Sequence, residues 1–137
     1  MTQGGKQLLL KNLCARLPYG VICHTEEGDG YLYSINQTIF GTEYGININP
    51  LYRDYFNDSE TEEQAVKPYL RPMSSMTKKE RLIYEQRLHD VGRSIDVIDA
   101  DDVVSHIDWL LSHHFDFRGL IYLGLALEAP EGMYTTE

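Results

Sequence analysis

Three features of this 137-residue chain predict an α+β fold. Apolar residues near the N-terminus recur at helical spacing until a proline stops them. Residues 19–48 then alternate in the two-residue rhythm of strands, with glycines at the turns. Beyond residue 73 a capping box opens a stretch in which helical spacing returns. The expected order is an N-terminal helix, a small curled antiparallel sheet and two to three C-terminal helices.

The first helix is expected over 6–17, with Leu10, Leu13, Cys14 and Leu17 on its apolar stripe and Pro18 as its stop. That placement makes Cys14 a core residue. Residues 19–35 read as a hairpin. Its second strand sets Tyr31, Tyr33 and Ile35 on one face, and Gly28 and Gly30 sit in the turn. Further strands are expected at 37–40 and 44–48, with Gly41 to Glu43 as the turn between them. Asn49-Pro50 starts another turn. Residues 51–56 (LYRDYF) read as a short helix or an irregular aromatic patch, and NDSETEEQ (57–64) as a solvated loop. VKPYLR (66–71) reads as a strand that Pro68 and Pro72 place at an edge or a strand end. Such a meander can curl into a partly open barrel of the SH3-like kind. A flatter sheet covered by helices is the alternative.

Thr77 and Glu80 form the capping box of a helix that runs to about residue 89, with Tyr84, Leu88 and Val91 in one stripe and Gly92 as the stop. Residues 94–98 alternate like a short strand or an extended link. Asp99 caps the next helix. There Val103, Val104, Ile107, Leu110, Leu111 and His114 share a face, opposite Asp102, Ser105, Asp108 and Ser112. Asp116 caps a third short helix over 117–124. Residues 125–127 are expected to pack. Those after Pro130 are expected to fray in a monomer or dock on a neighbour. The whole of 1–137 is expected to be one domain, with a sheet lobe over 1–72 and a helical lobe over 73–137.

The net charge of −9 argues against a general binder of nucleic-acid backbones, which gains affinity from Lys and Arg. Charge is segregated: residues 1–25 sum to +3, 26–66 to −8, 67–94 to +4 and 95–137 to −8. The basic island holds Lys67, Arg71, Lys78, Lys79, Arg81, Arg87 and Arg93. It can meet the acidic blocks of its own chain or of a second copy, or it can grip an anion. The chain has ten Tyr, a residue that suits half-buried sheet positions or a contact surface. Neither a signal-peptide pattern nor an apolar run of bilayer length is present, so the expected location is the cytoplasm, with both thiols reduced and no membrane contact.

No catalytic motif stands out, and neither a cofactor nor a catalytic residue is expected. Cys23 and His24 are neighbours in a strand, so their side chains point to opposite faces. Asp102, His106 and His113 share a helix side but span about 16 Å of rise, too far for one ion. No metal site is expected. The stronger candidate is an anionic ligand or nucleotide at the basic island. Arg71 ends a strand, Ser74, Ser75 and Thr77 offer hydroxyls, Lys78 stands in the first helical turn, and Tyr69 or Tyr31 can supply a stacking ring.

Three stretches, LCARLPYGV (13–21), KPYLRPMSSMT (67–77) and HFDFRGLIYLGLALEAPEGMY (114–134), resemble a group of small proteins of phages and prophage-like elements in gut Bacteroides and their relatives. That group has no assigned activity, so the resemblance brings no catalytic residues. It implies an accessory role in the host cytoplasm: interfering with host defence, binding a signalling nucleotide or modulating a host protein. The leading expectation is a non-enzymatic protein-interaction module, with itself as one partner by homo-oligomerisation. The alternative is a small protein that sequesters an anionic ligand or nucleotide.

Overall fold

The computed structural model describes residues 2–56, 66–97 and 100–134, with 93–97 described by their backbone alone. The loop expected at 57–64 and the Asp99 cap lie outside those residues.

Helix α1 spans Gln3–Arg16. Thr2 caps it, its hydroxyl accepting the Gly5 amide at 3.0 Å. The helix buries Leu9, Asn12, Leu13 and Arg16, while Cys14 is exposed. The expected stripe is therefore rotated by about one residue. The leucine run supports two overlapping stripes, and the one used takes in two polar side chains.

Six strands form one sheet in the order β4-β3-β2-β1-β5-β6. They are β1 (Ile22–Thr25), β2 (Gly28–Thr38), β3 (Gly41–Ile48), β4 (Leu51–Phe56), β5 (Lys67–Leu70) and β6 (Leu127–Glu128). All neighbours are antiparallel except β5 and β6. Among the described residues no pairing joins β4 to β6, so the sheet is open. The overall class is α+β, as the residue patterns predict.

Two identical turns set the meander. In each, a threonine ends one strand and a glycine starts the next, three residues on. The Thr25 hydroxyl donates to the Gly28 carbonyl at 2.7 Å and accepts from Glu27 N; Thr38 does the same for Gly41 and Phe40. Both glycines hold positive φ, 137° and 125°. The separate strand expected at 37–40 is thus the end of β2 with its turn, and Gly41 to Glu43 belong to β3. LYRDYF is the strand β4, not a helix. VKPYLR is paired on both sides, by β1 and β6, so it is no edge.

A register shift between Leu32 and Ser34 marks a bulge in β2. It turns Ile35 to the same side as Leu32, where it packs against the core, instead of joining Tyr31 and Tyr33. The covered face carries Cys23, Leu32, Tyr44, Ile46, Tyr55 and Leu70. Leu9 and Leu13 of α1, with Leu120, Leu125 and Ala126, close over it.

Helix α2 spans Lys78–Val97 and runs through Gly92, so residues 94–97 are helical. One interior glycine costs only about 1 kcal/mol, too little to end a helix without a competing cap. Helix α3 spans Asp101–Ser112 and buries His106, Trp109, Leu110 and Leu111. Val103 and Val104, expected in the core, are 41% and 56% exposed. Trp109, Leu110 and Phe115 form a second core with Met73, Met76, Ile83, Tyr84, Ile107 and Phe117 around it.

No third helix forms over 117–124. The segment is a run of turns, because Gly119 and Gly124 both take φ of 75°. Asp116 still acts as a cap, accepting from Leu120 N at 2.8 Å and Ile121 N at 3.0 Å. Residues 125–126 pack as expected. The chain then returns to the sheet, and the tail docks on its own molecule. The Tyr134 hydroxyl accepts from Ile22 N at 2.9 Å and donates to Tyr69 O at 2.8 Å. It joins β1 to β5 just past the Cys23–Pro68 pair. Its ring stacks on His114 with centroids 3.7 Å apart.

Tyr134→Phe keeps that stack and removes the strand bridge. It is expected to lower stability by about 1–3 kcal/mol, since both backbone groups lose their partner. Urea unfolding of the two proteins checks this, and equal midpoints would count against a bridging role.

Candidate interaction surface

The six residues expected to bind an anion do not converge. The Arg71 guanidinium is committed. It makes a two-pronged ion pair with Glu80, at 2.7 and 2.8 Å, and lies 4.3 Å from the centre of the Phe115 ring. Glu80 also completes the capping box. It accepts Thr77 N at 2.9 Å, while Thr77 Oγ1 accepts Glu80 N at 3.1 Å. These contacts, led by Arg71, hold the Glu80 carboxyl down at about 2. Ser75 Oγ donates to Pro72 O at 2.6 Å. Ser74 and Lys78 are exposed. Arg71, Ser75 and Thr77 do share a groove of about 600 Å3, but Glu128 and Glu131 line it too. The Tyr69 hydroxyl is also engaged, donating to Asp29 at 3.1 Å.

Cys23 and His24 are held apart. Cys23 is fully buried on the covered face, and burial pushes its thiol up. His24 points the opposite way. His106 is buried against Tyr84, with ring centroids 5.4 Å apart. Among the described residues no group of three or more His, Cys, Asp or Glu is placed to hold a metal ion. None of the described helices is long and apolar enough to cross a membrane.

What the fold does build is an open sheet face. Strand alternation and the registers put Tyr52, Asp54 and Phe56 of β4 beside Glu43, Gly45 and Asn47 of β3. Next come Asp29, Tyr31 and Tyr33 of β2, then Ile22 and His24 of β1, then Lys67 and Tyr69 of β5. Tyr31, Tyr33 and Tyr52 are 55%, 43% and 66% exposed.

The face is ordered by its own contacts. Tyr33 and Tyr52 meet edge to face, with centroids 5.1 Å apart. Tyr33 lies across Gly45, where an added Cβ would stand 2.8 Å from its Cζ. At the other end His24 Nδ1 lies 2.8 Å from Asp29 Oδ1, and the Tyr69 hydroxyl reaches both Asp29 oxygens at 3.1 and 3.2 Å. Burial, and then the Asp29 carboxylate, push the Tyr69 hydroxyl up. Glu43 is raised by hydrogen bonding to the neighbouring Asp54 carboxyl.

Sequence reasoning set a tyrosine-lined surface beside the plainer rim reading but did not find its members. Tyr52 and Asp54 were missed because LYRDYF did not read as a strand. The alternation Tyr52, Asp54, Phe56 was the available signal.

A groove of about 540 Å3 continues from Ile22 and Tyr31 to His113, His114 and Tyr134. Behind it sits a buried cationic junction. Arg16 donates to Phe115 O at 2.7 Å and to Asn12 Oδ1 at 3.3 Å. Burial, partly offset by Asp116, lowers its guanidinium to about 10. Burial, followed by Arg16, His113 and Arg71, lowers the His114 imidazole to about 4.

Against this geometry, no family, curated protein or solved structure matches the chain.

The His114 shift has a pH signature. Above its ordinary value of 6.5 the ring is neutral in both the folded and unfolded chain. As pH falls from 6.5 towards 4 the unfolded chain takes the proton first, so stability is lost in that window. Glu80 acts lower: its contribution is present above 4.5 and lost as pH falls through about 2. His106, lowered by burial and then by Arg87, adds in the same direction as His114. A loss of about 1–3 kcal/mol between pH 6.5 and 4.5 is expected. His114 holds a φ of 64°, which Asn tolerates, so His114→Asn should flatten most of it. Urea unfolding across that range decides; an unchanged slope in the variant would remove His114 as its source.

Proposed function

We propose that this protein is a non-enzymatic interaction module that binds a polypeptide partner across the open tyrosine face of its sheet. The observation that carries this reading is the asymmetry of the sheet. One face is filled by α1 and the 120–126 turns, while the other leaves Tyr31, Tyr33 and Tyr52 accessible. Tyrosine suits such a role, offering large contact area and a hydroxyl with few rotors to freeze. On the resemblance of residues 13–21, 67–77 and 114–134, we place the module among phage accessory proteins that act on a polypeptide in the host cytoplasm.

Sequestering an anion has less support. Its main cation, Arg71, is paired with Glu80, and two carboxylates line the adjoining groove.

A photo-crosslinking amino acid at position 31 or 52 tests the proposal in cells that naturally carry the gene. Crosslinks to one polypeptide, identified by mass spectrometry, are expected from both positions and not from 81 or 122. A second copy of this chain would be an acceptable partner. Equal labelling from all four positions, or none from 31 and 52, would overturn it.

A further inference from the structure

The charges on the open face specify the partner's chemistry, an inference that rests on the interaction reading above. Glu43 and Asp54 come from adjacent strands: Glu43 pairs with Phe56 and Gly45 with Asp54, so the two acids are diagonal neighbours on one face. The Asp54 carboxyl holds the Glu43 carboxyl above its usual range. Neither Glu43 nor Asp54 takes part in the ion pairs of His24 with Asp29, Arg53 with Glu27 and Arg71 with Glu80. Arg53, next to Asp54 in sequence, points to the covered side and meets Glu27 at 3.3 Å.

Two adjacent carboxyls on an exposed sheet repel when both are ionised, and a cation between them relieves this. The rings beside them suit the same guest. Asp54 pairs across Gly45, over which Tyr33 lies, and Tyr52 stands edge-on to that ring. An aromatic face flanked by carboxylates receives a guanidinium or ammonium by cation–π attraction and ion pairing together. Arginine fits better than lysine, because its planar head can stack on a ring while donating sideways. The far end of the face differs. Lys67 and the His24–Asp29–Tyr69 cluster stand there, and Lys67 repels a second cation.

We propose that the partner is a basic polypeptide that places an arginine on the β3–β4 side of the tyrosine face, against Glu43, Asp54, Tyr33 and Tyr52.

Fluorescence anisotropy with three labelled peptides tests this: one alternating arginine and glycine, and its lysine and glutamate counterparts. The arginine peptide is expected to bind best and the glutamate peptide not at all. The pair Glu43→Gln with Asp54→Asn, and separately Tyr52→Ala, should each weaken the arginine peptide by about five- to tenfold. Glu128→Gln with Glu131→Gln removes the same charge elsewhere and should change it by less than about twofold. Circular dichroism confirms that each variant is folded. No binding of the arginine peptide, or equal loss in both charge pairs, overturns the inference. If the crosslinks from positions 31 and 52 persist in that case, the interaction reading survives and only the basic partner is lost.

Discussion

Arg71 joins the two halves of this molecule. Its backbone extends β5: its amide donates to His114 O at 2.7 Å, and its carbonyl accepts from Asp116 N at 2.8 Å. Its side chain leaves the sheet and holds Glu80 in the first turn of α2, while its guanidinium covers Phe115 of the second core. One residue thus ties the sheet, the capping box and the Trp109 cluster together. Both partners of the ion pair are nearly buried, so removing either would leave a charge without compensation, a loss that commonly reaches about 3–5 kcal/mol. The same commitment leaves Arg71 paired with a carboxylate of its own chain. A strand-ending arginine beside serines and a helix start suggests an anion site, but the helix brings its own carboxylate.

The sheet itself is two-faced. The covered side needs α1, the returning C-terminal turns and a bulge that brings Ile35 round to Leu32. The open side needs Gly45. Without a side chain there, Tyr33 can lie flat across β3 and meet Tyr52. The bulge and the glycine therefore serve opposite faces of the same pair of strands.

Much of this was legible in the residues, and the failures have physical causes. The class, the capping box of Thr77 and Glu80, the strand at 67–70 and the packing of Leu125 and Ala126 could all be read from local pattern. Glycine alone does not locate the hairpin turns. The repeated Thr-x-x-Gly of 25–28 and 38–41 is the fuller signal, since the hydroxyl ties both arms of each turn. Cys14 was misjudged because burial of Arg16 and Asn12 runs against residue averages. A bulge leaves no alternation to read, so the turn of Ile35 towards the core was invisible. The open face is non-local: Tyr33 and Tyr52 lie far apart in the chain, and only the β3 register brings them together.

The tail supports one end of the face. The pairing of β1 with β5 runs only through His24–Lys67 and Cys23–Pro68, leaving a gap at Ile22 and Tyr69. Tyr134 fills that gap with its hydroxyl, and His114 holds its ring in place. Ile22 and Tyr69 are thereby fixed at the His24 end, as Gly45 fixes Tyr33 at the other. A partner meeting this face finds rings already set by sheet geometry, so little side-chain freedom remains to be lost on binding. For the partner proposed above, that preorganisation would favour binding, with the carboxylates of Glu43 and Asp54 giving the face a sign.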